Sequence, residues 1–256
     1  MTLHAAGHIL GSSMIEIVAE GKRLLFTGDL GNAPSTLPPP ADAYTGADYM
    51  IIESTYGNRR HEPPEEREMR VERAMEDIAA RGGTLMIPAF ATERTQDLLF
   101  LLNTMLQFRR VPAMPVFVDA PLAIRITKVF EEYTAYYKED VQRLFGEHPR
   151  LFQFKNLRLT STVEESKAIN DVPAPKVIIA GSGMMNGGRI LHHLKRYLPD
   201  AGSILLIAGY QAAGSLGRRL IDGAREVKVL GEEISVRAEI RKVGGFSAHA
   251  DGPQLF

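Results

Sequence analysis

The sequence contains no cysteine, which rules out a disulfide framework and a thiolate-held zinc, so any metal must rest on histidine and carboxylate. It has almost no net charge, with 30 basic residues against 31 acidic ones. A globally basic field is therefore excluded, and a nucleic acid would have to be met by a local patch. No apolar run reaches the length of a membrane span, and the first residues lack the basic segment and apolar core of a signal peptide. The expected location is the cytoplasm, with no membrane partner. Internal repeats and low-complexity tracts are missing too. What is present is a chain of 256 residues, 45% hydrophobic, enough for one large domain or two modest ones.

Its organisation follows from hydrophobic periodicity. Met14 to Ala19 and Arg23 to Thr27 are β-rich runs joined by Glu20-Gly21-Lys22, which reads as a hairpin. A Pro-rich loop spans 34–40, and Tyr49 to Ile52 is a short, fully apolar run expected to be a buried strand. From Asn58 the pattern changes. Glu65 to Arg81 has helical spacing, with Met69, Ala74 and Ile78 as its apolar face and Gly82-Gly83 as its stop. Strands are expected at 84–87, 116–118, 176–180 and 203–208, and helices at 92–108, 122–137, 139–145 and 188–197. Such alternation implies a parallel sheet flanked by helices. β character returns at 234–243.

Several residues sit where chemistry is usually built. His8 lies in Ala-Gly-His-Ile-Leu-Gly-Ser, and Asp29 ends a strand in Thr-Gly-Asp. A hairpin can bring the two together, and divalent ions accept such an N/O mixture. The plain alternative is a turn histidine and a turn aspartate. Glu53 follows an apolar strand in Glu-Ser-Thr-Tyr-Gly, where ligands gather in α/β folds, or it caps the strand end. His249 lies in Phe-Ser-Ala-His-Ala-Asp, either as a reactive group or as a loop histidine beside a capping Asp251. The Gly-rich run from Gly181 to Arg189 opens a helix, where free backbone N–H groups can bind an anion, or it is a crowded strand-to-helix turn. Arg94, Arg189, Arg218 and Arg219 can line a positive groove or stand solvated. His192-His193 point about 100° apart on a helix, so they are read as structural, as are His4, His61 and His148.

The Gly-His segment around His8, Thr-Gly-Asp29, Glu53-Ser-Thr-Tyr-Gly, Ser182-Gly-Met-Met and Phe-Ser-Ala-His249-Ala-Asp, in this order, resemble the β-CASP branch of the metallo-β-lactamase-fold nucleases. That branch includes ribonuclease J and the endonuclease of the cleavage and polyadenylation machinery. The resemblance implies an α/β fold: a partial metallo-β-lactamase αββα core at 1–56, an inserted β-CASP domain at 57–233, and a return to the core at 234–256. It implies two Zn²⁺ ions in the complete family site, with His8 as a ligand and Asp29 bridging the metals. Glu53 would orient a catalytic histidine, and His249 would contact the scissile phosphate and protonate the leaving oxygen, work for which histidine is suited. Ser247 would donate to the same phosphate. Ser182 and Gly183 would border the RNA channel, and Arg94 and Arg189 would contact its backbone.

The chain also departs from the pattern. Glu93 stands where the family loop has Gly, and the family's His-x-His-x-Asp-His loop and its last metal-ligating His are absent. The expectation is therefore a piece of a longer protein, inactive alone, with an unpaired sheet edge and exposed apolar surface. The complete protein would be a zinc-dependent endoribonuclease, with 5′-exonuclease activity as an addition, acting on single-stranded RNA, and a homodimer is a candidate assembly. The rival readings are a non-catalytic RNA-binding subunit or vestigial fragment, and a small-molecule hydrolase, which a large inserted α/β cap argues against.

Overall fold

The computed structural model describes residues 1–255. Along the chain run β1 (Thr2–Ala5), β2 (Ser13–Ala19), β3 (Lys22–Phe26), β4 (Tyr49–Ile51), α1 (Pro64–Arg81), β5 (Thr84–Pro88), α2 (Arg94–Gln107), β6 (Val116–Asp119) and α3 (Pro121–Glu132). There follow α4 (Glu139–Glu147), β7 (Leu157–Leu159), α5 (Val163–Ala168), β8 (Lys176–Ala180), α6 (Ile190–Tyr197), β9 (Ile204–Ile207) and α7 (Leu216–Ile221). The last elements are β10 (Glu226–Val229), β11 (Glu232–Ser235), β12 (Glu239–Lys242) and α8 (Gly252–Leu255). Two compact units result: residues 1–62, 132–149 and 247–255 form one, and residues 63–131 and 150–246 the other.

The first unit is built on a four-stranded sheet in the order β1-β2-β3-β4, antiparallel except for the parallel β3–β4 pair. One face packs Met14 and Leu25 with Ala6, Leu30 and Tyr44. Register places Leu3, Ile15, Ile17, Leu24, Phe26, Tyr49 and Ile51 on the other face. Five of these seven, Leu3, Ile15, Ile17, Tyr49 and Ile51, are exposed. The alternation in β2 is thus inverted, with Ile outward while Glu16 turns inward to accept a hydrogen bond from His4 at 3.0 Å. The apolar run at Tyr49 to Ile52 is therefore not buried: all four residues are exposed. Apolarity fixes which surface seeks cover; it does not supply the cover.

The second unit holds six parallel strands in the order β12-β9-β5-β8-β6-β7, flanked by helices. The central strands β5, β6, β8 and β9 are buried along their whole length, which explains their continuous apolar runs. Helix α1 starts on Pro64, carries Glu65 and Glu66 in its first turn, and stops at Gly82 in the left-handed conformation (φ 70°). Its buried face is Val71, Ala74, Met75 and Ile78, spaced i, i+3, i+4, i+7. Met69 lies off that stripe and is exposed.

Three boundaries differ from the sequence expectation. The β region at 234–243 is two strands, and the second, β12, joins the parallel sheet beside β9. Residues 132–149, including α4, group with the four-stranded unit. Helix 122–137 ends at Glu132 and continues only as a 3-10 turn at Thr134–Tyr136. Helix α5 was unanticipated, although Thr162-Val-Glu-Glu165 spells a capping box: the Thr162 hydroxyl accepts from Glu165 N–H, and the Glu165 carboxylate accepts from Thr162 N–H.

Candidate active site

In the first unit, three loops are stitched together by backbone. The turn after β3 donates Gly31 N–H to Ala6 O and Asn32 N–H to Ala248 O, each at 2.8 Å, and Leu30 O accepts Ala250 N–H at 2.8 Å. This fit depends on glycine. A Cβ on Gly31 would stand 1.9 Å from Gly7 O, and one on Gly7 would meet Ala41 N at 2.5 Å. The Gly-rich composition that flagged these segments is thus what lets three backbones approach closely.

The stitching brings His8, Asp29 and His249 into one cluster, in which one ligand atom from each lies within 4.8 Å of the others. The His8 and His249 rings are 4.4 Å apart between centroids. His8 Nε2 is 3.9 Å from an Asp29 carboxylate oxygen. Asp29 is open to solvent, its side chain 61% exposed. The Glu53 side chain is only 7% exposed and has two tasks. It accepts Leu30 N–H at 2.5 Å and holds His249 Nδ1 at 3.0 Å. With Nδ1 committed, Nε2 is the nitrogen of His249 left for chemistry.

Burial, and after it the neighbouring His249, lower the pKa of His8 below the ordinary histidine value, against opposing pulls from the Ala248 backbone, Asp29 and Glu53. His8 is therefore neutral at pH 7, as a metal ligand must be. Its Nδ1 is buried and has no hydrogen-bond partner among the described residues. His8 and Asp29 offer an imidazole nitrogen and a carboxylate to a divalent ion of the zinc or manganese kind, and these two residues fit such a group.

Ser247 belongs to the same unit. Its hydroxyl oxygen accepts His249 N–H at 3.2 Å, which leaves the hydroxyl hydrogen free to donate. His61, read from sequence as merely structural, packs against this segment: its Nε2 meets His249 O at 2.9 Å and its N–H donates to Asp251 at 2.9 Å. It thereby fixes the backbone that presents His249. No local motif marks His61, because its partners lie about 190 residues away in sequence.

The remaining candidates lie in the second unit. Arg94 is buried and paired with Asp97 at 3.4 Å, with its guanidinium 5.1 Å from the Phe246 ring centroid. Arg189 donates to Asp119 at 2.8 Å and to the carbonyls of Thr160 and Ser161. Neither arginine is a freely presented cation. Ser182 Oγ donates to Gly187 O at 3.2 Å, and Gly183 O accepts from Gln211 at 2.9 Å, so the 181–188 turn is held by its own contacts. Asp119, fully buried at the end of β6, accepts from His193, Ser166, Thr160 and Arg189. Burial alone would raise its pKa. The hydrogen bond from His193, then those from Ser166, Thr160 and Arg189, outweigh it and hold the carboxyl well below the usual range. Glu93, where the related loop has Gly, takes φ 63°, a conformation Gly adopts without strain.

Comparison with known proteins bears on the family of the chain. The Beta-Casp domain family matches residues 95–220. Ribonuclease TTHA0252 of Thermus thermophilus is 39% identical over 98% of this chain and 58% of its own length. An RNase J-like protein of Methanocaldococcus jannaschii is 33% identical over 96% of the chain and 57% of its own. Transcription termination factor FttA of Pyrococcus abyssi is 33% identical over the whole chain and 41% of its own. The chain thus spans roughly half the length of the curated relatives it matches.

Proposed function

The chain belongs to the β-CASP family, and on that premise we propose that the protein carrying it is a metal-dependent hydrolase of RNA phosphodiester bonds. The observation that carries the proposal is the convergence of His8, Asp29 and His249 with Glu53 behind His249. Relatives whose names are ribonuclease and RNase J-like protein support RNA as the substrate. A cytoplasmic site of action belongs to the same reading.

His8 and Asp29 would hold the metal, with zinc the ion expected from the N/O donor set. A divalent ion in such a site lowers the pKa of bound water and neutralises charge on a phosphate. The protein's own groups do the rest. Glu53 holds the His249 ring by Nδ1, which leaves Nε2 as the nitrogen that would deliver a proton to the leaving oxygen. Ser247 would donate its free hydroxyl hydrogen to a phosphate oxygen. The 181–188 turn would border the RNA, with Ser182, Gly183, Arg94 and Arg189 shaping that border from behind.

The test is cleavage of an end-labelled single-stranded RNA by the carrying protein with His249→Ala. General acid catalysis contributes about 10²–10⁴-fold, so the variant should lose at least 10²-fold in kcat while retaining its metal content. A variant as active as wild type would refute the role of His249. A protein that binds RNA but never cuts it, with metal supplied, would instead be a non-catalytic RNA-binding subunit.

A further inference from the structure

Beside the buried Asp119, helices α5 and α6 enclose a groove of about 430 Å³ within the second unit. Its wall carries Lys167, Arg189, His192, Lys195 and Arg196, and no acidic side chain lines it. The cations differ in availability. Arg189 is fixed on Asp119, and Lys195 pairs with Glu232 at 2.5 Å. Lys167 and Arg196 have no carboxylate partner among the described residues, and both are exposed, as is His192. The charge of Asp119 does not offset them, since it is matched by the Arg189 guanidinium at 2.8 Å.

We propose that this groove binds phosphate groups, and that its ligand is a stretch of single-stranded RNA backbone away from the scissile bond. The inference rests on the RNA reading above. Between the exposed His192 and Arg196 the axis of α6 rises about 6 Å, enough for two adjacent phosphates. No Phe or Tyr lines the groove, so it offers no stacking platform and its grip falls on the backbone, independent of sequence. It opens directly after the 181–188 turn, so a strand bordering that turn would continue along α6. The Asp119 network serves as the strut: it ties α6, through Arg189 and His193, to α5, through Ser166. Arg189 thereby supports the wall rather than gripping the ligand.

The experiment measures RNA affinity of the full chain by fluorescence anisotropy with a labelled single-stranded 12-mer, across salt concentrations. The variant is Lys167→Ala combined with Arg196→Ala, two exposed side chains whose loss leaves the fold intact. A control pairs Arg225→Ala with Lys228→Ala, exposed cations outside the groove. For single strands each phosphate contact contributes about −0.7 to the slope of log K against log salt. The groove variant should bind about tenfold more weakly at 0.1 M salt and flatten that slope by about 1.4, while the control matches wild type. Unchanged affinity and slope in the groove variant would overturn the proposal, as would an equal effect of the control pair. Inorganic tripolyphosphate, tested by calorimetry, separates the sources. If its binding is lost in the groove variant while RNA binding is not, the groove belongs to a free oligophosphate and the RNA assignment falls. Wild-type chain that binds no RNA would overturn the underlying reading as well, whereas RNA bound but never cut by the carrying protein with metal supplied would refute only the hydrolase.

Discussion

At the scale of single residues, the site hinges on Glu53, which accepts both Leu30 N–H and His249 Nδ1–H. Glu53→Gln preserves the shape but replaces a charged acceptor with an amide. Partners that orient a reactive histidine typically account for 10–100-fold in activity. Steady-state kinetics should show kcat reduced by about that factor with KM little changed; an unchanged kcat would remove Glu53 from the reaction. Asp119 is the corresponding residue for stability. Removing one member of a buried ion-pair network costs about 3–5 kcal/mol, so Asp119→Asn should lower stability at pH 7 by about that much in urea unfolding. The sign of its pH dependence follows from its depressed pKa. The contribution is complete above the unfolded carboxylate value of about 3.9 and declines as pH falls from there toward the lower folded value. The gap between wild type and Asp119→Asn should therefore narrow in acid, and a gap constant down to pH 3 would contradict the network. His8, Asp29, Glu53 and His249 could be singled out because each lies in a short Gly- or Ser-rich context. His61 and Asp119 could not, because their importance comes from partners distant in the chain.

At the scale of elements, helix and strand positions were largely legible because strands buried on both sides read as unbroken apolar runs and α1 carries its own start and stop. Faces were less legible. Met69 was expected inside and is exposed, since Val71, Met75 and Ile78 define the stripe. Ile78→Ala should cost about 2–5 kcal/mol and Met69→Ala under about 0.5 kcal/mol, as read by chemical denaturation; comparable losses would reverse the face assignment. The outer face of β1–β4 makes a second case. Ile15 and Ile17 stand side by side in β2 and are exposed. Ile15→Lys with Ile17→Lys should reduce binding of a hydrophobic dye to the folded chain and leave its melting temperature nearly unchanged. A melting temperature lowered by many degrees would mean that these residues are packed.

At the scale of the whole molecule, alternation of strands and helices announced a parallel sheet, but not the order β12-β9-β5-β8-β6-β7, which depends on pairings between distant segments. Nor could sequence show that β12 leaves the terminal β-rich stretch for that sheet. Cationic side chains collect along the α5–α6 groove while the chain as a whole carries −1. The central claim is that His8, Asp29, Glu53 and His249 form one metal-dependent phosphodiesterase centre. It is tested most directly by cleavage of single-stranded RNA by the carrying protein before chelation, after chelation and after metal is restored, with bound metal measured in parallel for wild type and Asp29→Asn. The account expects cleavage to vanish with the metal and return with it in the wild type, and Asp29→Asn to bind less metal and recover no activity. Cleavage that survives complete metal removal, or a fully active Asp29→Asn, would contradict it.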